Sequence, residues 1–74
     1  MTKLEKNVIN AIDDAVVDGG KVAIDGAIDE GKCFFVKHTP TTLSLYWGEK
    51  KVISLNDDVY TALATKIFEE YIKF

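Results

Sequence analysis

Residues 42–55 read Thr-Leu-Ser-Leu-Tyr-Trp, Gly-Glu-Lys, Lys-Val-Ile-Ser-Leu, and this stretch limits the possible folds more than any other. With Gly48-Glu49-Lys50 as a three-residue loop, the cross-strand pairs are Trp47/Lys51, Tyr46/Val52, Leu45/Ile53, Ser44/Ser54 and Leu43/Leu55. Side chains alternate across a strand, so this pairing gathers Leu43, Leu45, Ile53 and Leu55 on one face. A slip of one residue mixes apolar and polar groups on both faces. Residues 33–37 upstream are rich in β-formers. A connection through His38-Thr39-Pro40-Thr41 sets Val36 near Leu43 and Phe34 near Leu45. Pro40 has no amide to donate, which suits a turn and not a ladder.

Helical patterns flank these strands. Thr2-Lys3-Leu4-Glu5 has capping-box spacing, and Leu4, Val8, Ala11, Ile12, Ala15 and Val16 follow on one stripe until Gly19-Gly20 stops it. A helix is expected from about residue 3 to 18. In residues 21–31, Ala23, Ile24, Ala27 and Ile28 share a helical face that Gly31 would end, and this favours a short second helix. A strand through Lys21-Val22-Ala23-Ile24 turning at Asp25-Gly26 is the competing reading. Asn56-Asp57-Asp58 supplies caps and first-turn acids for a last helix. Its stripe is Val59, Leu63, Ile67 and Tyr71, flanked by Tyr60, Ala64, Phe68 and Ile72, and it runs to the C-terminus. The expected fold is therefore one α+β domain spanning residues 1–74, in the order ααβββα: two N-terminal helices, a three-stranded antiparallel meander and a C-terminal amphipathic helix.

At 74 residues the chain is near the lower limit for a self-sufficient core, and a homodimer contact would supply further burial. Cys33 is its only cysteine, so an internal disulfide is impossible and a cysteine-based zinc site is excluded; a reducing, cytoplasmic setting is expected. The opening residues are followed by no long apolar run, which argues against a signal peptide and a membrane-spanning helix.

The net charge of -3 is unevenly placed. Residues 1–31 carry seven acids and three lysines, residues 32–55 carry Lys32, Lys37, Lys50 and Lys51 against Glu49, and residues 56–74 return to an acidic balance. Overall acidity and the lack of arginine speak against a non-specific nucleic-acid binder.

The pairing leaves Cys33, Phe35, Tyr46 and Val52 on the second sheet face, with Lys37 and Lys51 at its rim. A solvated sheet face is normally polar. A helix crossing over, a protein or subunit interface, and a stacking platform for single-stranded nucleic acid would each account for it. Trp47, at the hairpin end, is an edge of the core or an interface anchor. The expected interface is Phe35, Tyr46, Trp47, Val52, Lys37 and Lys51. Asp13, Asp14, Asp18, Asp25, Asp29 and Glu30, with Glu5, would form an acidic ridge along the two N-terminal helices. Such a ridge could dock a basic surface or imitate nucleic-acid phosphates.

Catalytic and metal signatures are missing. Cys33 and His38, the one nucleophile–base combination, are five positions apart on an extended strand and point to opposite faces. The acids do not follow a calcium-loop order, and Gly19-Gly20-Lys21 and Gly31-Lys32 are not phosphate loops. The sequence thus points to a non-enzymatic protein-interaction module with no cofactor and no metal: a homodimer, adaptor or inhibitor subunit. A single-stranded nucleic-acid binder and an acidic phosphate mimic are the alternatives.

Overall fold

The computed structural model describes residues 2–72. Helix α1 (Lys3–Asp18) leads into four strands, β1 (Gly20–Asp29), β2 (Lys32–His38), β3 (Thr42–Trp47) and β4 (Lys50–Asn56), and helix α2 (Thr61–Ile72) follows. The strands form one antiparallel meander in the order β1-β2-β3-β4. The α+β class agrees with expectation; the element order is αββββα.

Helix α1 has the expected limits. Thr2 Oγ1 accepts from the amide of Glu5 at 3.0 Å, and Gly19, at φ +69°, donates to the carbonyl of Ala15. Val8, Ala11, Ile12 and Ala15 are buried. They meet Ile24, Phe34, Val36, Leu43 and Leu45 from the sheet and Ala64, Phe68 and Ile72 from α2 in a single core. Helix α1 lies across β1 and β2 and against α2, so both helices occupy one side of the sheet.

The expected second helix is instead strand β1. Lys21, Val22 and Ala23 pair with Lys37, Val36 and Phe35, and Ile28 and Asp29 pair with Cys33 and Lys32. Between Ala23 and Ile28 the register slips, leaving residues 24–27 opposite Phe34 alone. Gly26 sits in this bulge at φ +75°, in the left-handed region that glycine enters without steric cost. The bulge turns both Ile24 and Ala27 inward. Their separation of three positions imitates a helical period, and that imitation is why the segment reads as a helix.

Two registers also differ from expectation. Between β2 and β3, Val36 pairs with Leu45 and Phe34 with Trp47. This is two residues from the expected alignment, a shift that keeps every side chain on its face. Thr39 and Thr42 close the turn with reciprocal backbone hydrogen bonds, so the loop is tighter than the sequence implied. Between β3 and β4, Leu43/Leu55, Ser44/Ser54 and Leu45/Ile53 pair as expected, but Tyr46 meets Lys51 and Trp47 meets Lys50. The extra residue is Val52. With Gly48 at φ +62° the turn needs only Gly48 and Glu49, and the bulge absorbs the residue left over.

Helix α2 begins at Thr61, whose neighbour Tyr60 accepts at its carbonyl from Ala64, so Asn56-Asp57-Asp58 does not cap it. Instead, Asp57 donates its amide to Thr41 and its carboxylate contacts His38 Nε2, tying the end of β4 to the β2–β3 turn. The buried face of α2 is Ala64, Thr65, Phe68 and Ile72. The expected stripe is thus rotated: Leu63 and Tyr71 remain about half exposed and Tyr60 more so. The expected continuation of α2 to residue 74 lies outside the described residues.

Candidate functional surface

The side of the sheet turned away from the helices is built by four strands in register. Phe35 of β2 pairs with Ala23 of β1 and Tyr46 of β3, and Tyr46 pairs with Lys51 of β4. One step along, Lys21, Lys37, Ser44 and Ser54 form the next row. No helix covers these rows, because the helices pack on the opposite side.

Three lysines crowd the two rings. Lys21 Nζ stands 4.6 Å from the centroid of Phe35 and 4.9 Å from that of Tyr46, while Lys37 and Lys51 place theirs 5.8 Å and 6.0 Å from Tyr46. An ammonium over a ring face is drawn to the negative face of the ring quadrupole, worth about 0.5–1 kcal/mol at exposed sites. Lys21 also donates to the carbonyl of Gly48 at 2.9 Å, which fixes its chain across the sheet. Below them Ser44, itself buried, donates from Oγ to Ser54 Oγ at 3.0 Å. Among the described residues, the register positions on this side hold no aspartate or glutamate. The face is therefore locally cationic on a chain that is acidic overall.

Four of the six expected interface residues, Phe35, Lys37, Tyr46 and Lys51, lie together here. The other two do not. Trp47 shares the inner side with Phe34, ring centroids 6.5 Å apart at 29°, and donates from Nε1 to the carbonyl of Asp29 at 3.1 Å. Lys32 Nζ stands 4.7 Å from the Trp47 ring. Val52 is carried to the core by the bulge. Lys21 escaped the sequence reading because its segment was taken as a helix, although the alternation of Lys21, Val22, Ala23 and Ile24 carries the signal.

The acidic residues are dispersed. Asp13, Asp14 and Asp18 are exposed on α1, Asp25 sits in the β1 bulge, and Asp29 and Glu30 lie at the β1–β2 turn. No helix joins them into a two-helix ridge. Cys33 is half-buried opposite Ile28, at the far end of β2 from His38. No group of three or more metal-ligating side chains exists among the described residues. No described helix is long and apolar enough to cross a membrane. The chain matches no family model, no curated protein and no solved structure.

Proposed function

We propose that the protein is a non-enzymatic interaction module that binds an acidic segment of another protein through the open face of its sheet. The observation that carries this reading is the cluster of Lys21, Lys37 and Lys51 around Phe35 and Tyr46, with no carboxylate at the register positions around it. A carboxylate-bearing strand pairs with the ammoniums where they stand, over the rings. A face-to-face homodimer is disfavoured, since it would set three lysines against three others. The lone Cys33 suits a reducing, cytoplasmic place of action.

Single-stranded nucleic acid is the second reading, favoured by two rings side by side on neighbouring strands with cations around them. It ranks lower because Lys21 already covers both ring faces and a base would have to displace it. Fluorescence anisotropy at low salt with a labelled Glu-rich peptide and a labelled oligothymidylate separates the readings. The expected result is peptide binding that falls by about tenfold or more in Lys21→Ala/Lys37→Ala. Oligothymidylate binding lost on Tyr46→Ala would put the second reading in its place, and silence from both ligands would remove this surface as the site.

A further inference from the structure

We infer that the chain also pairs with a second copy of itself along the β4–α2 edge, a surface separate from the lysine-covered face. The helix layer stops short there. Val52, Ile53 and Leu55 of β4 are only partly buried against the core, as is Ile67 of α2, while Leu63 and Tyr71 of α2 are about half exposed. At one end, Tyr71, Trp47, Val52 and Lys50 line an open groove of about 280 Å³. Half of the large exposed apolar side chains of the described residues, namely Tyr60, Leu63 and Tyr71, belong to α2 or its first approach. A strip of this kind marks a contact surface.

The backbone of β4 points the same way. Because the Asp57 amide bonds Thr41, the two-residue alternation of an antiparallel ladder turns the backbone of Leu55 and Ile53 toward β3 and directs that of Ser54 out of the sheet, while the outward carbonyl of Asn56 already accepts from the amide of Val59. The bulge at Val52 interrupts the first half of this edge and the Asn56 carbonyl closes the other, so the backbone of Ser54 and the side chains of α2 carry the contact.

Charge selects the occupant. The edge begins with the exposed Lys50 and ends with the exposed Asp58, whereas Lys51 and Asp57 are already engaged with Tyr46 and His38. A second copy related by a two-fold axis near Ser54 runs antiparallel and sets each basic end against the other's acidic end. A parallel copy would oppose like charges. Leu63 and Ile67 then meet their counterparts across the axis. The pairing extends the sheet to twice its width and places the two cationic faces side by side on one surface.

Sedimentation equilibrium from micromolar to submillimolar concentration tests this. The expected mass is twice the 8.2 kDa of one chain. Leu63→Glu should abolish the dimer while leaving the circular dichroism spectrum unchanged, since Leu63 is half exposed. Lys50→Asp and Asp58→Lys should each weaken association about tenfold, and the two together should restore it. A monomer at every concentration, a dimer that survives Leu63→Glu, or an exchange that fails to restore association would each overturn the proposal. Loss of the dimer in Phe35→Asp with retention in Leu63→Glu would move the contact to the opposite face and equally overturn it. These readouts are masses and do not depend on whether an acidic peptide binds.

Discussion

Lys21 and Trp47 show how single side chains stitch distant strands together. Lys21 starts on β1, passes over rings on β2 and β3, and ends on the Gly48 carbonyl at the β3–β4 turn. Trp47 does the equivalent on the inner side, from the end of β3 to the carbonyl of Asp29 at the end of β1. Trp47→Phe keeps the ring beside Phe34 but leaves that partly buried carbonyl without its indole donor. The expected cost is about 1–2 kcal/mol in urea unfolding followed by circular dichroism. Of the face residues, Phe35, Lys37 and Tyr46 were legible in the sequence because an unbroken alternation places them, whereas Lys51, in step with Ile53 and Leu55 along the chain, reaches this face only through the bulge. Val52 was not, since one extra residue reverses its side and nothing in Lys51-Val52-Ile53 marks the bulge.

Among the elements, α1 was fully legible: a capping residue, a continuous stripe and a paired glycine stop leave little freedom. Strand β1 was hidden by its own irregularity. Four residues opposite one break the period of two that identifies a strand, and the resulting inward pair, Ile24 and Ala27, carries a helical spacing. Gly26 makes the irregularity affordable at φ +75°. An added Cβ there would meet nothing nearer than Asn7 Nδ2 at 4.0 Å, so the penalty of substitution is one of backbone conformation and not of space. Gly26→Ala should lower stability by about 1–2 kcal/mol, and Gly26→Asn by less, because asparagine tolerates left-handed backbone. Equal losses for the two in chemical denaturation would place the cost elsewhere. For α2 the existence of the helix was legible but its rotation was not. An apolar arc wider than the buried face leaves the choice to packing, and Phe68 is the residue that inserts fully.

For the whole molecule, charge is divided between two sides. Asp13, Asp14 and Asp18 are exposed on the helix layer, while Lys21, Lys37 and Lys51 gather on the bare face of the sheet. The net charge of -3 averages over this and conceals it. An acidic partner is attracted by one side and repelled by the other, so its approach is oriented before contact. Binding to the sheet face should therefore weaken by at least tenfold between about 0.05 and 0.5 M salt, as measured by anisotropy at the two salt concentrations. The sequence allowed the charge segments to be seen, but their assignment to opposite sides required β1 to be a strand.

The bulge in β1 has a consequence for polymer growth. A sheet with two regular free edges can add copies without end, each new arrival presenting a fresh edge to the next. Here residues 24–27 bow out of the ladder at one edge, so an incoming strand finds no continuous row of donors and acceptors along β1. Strand β4 is interrupted as well, by its bulge at Val52 and by the Asn56 carbonyl that accepts from Val59. The proposed β4 contact would use the one short stretch left open, so association through the sheet would end at two chains instead of running on into a fibre.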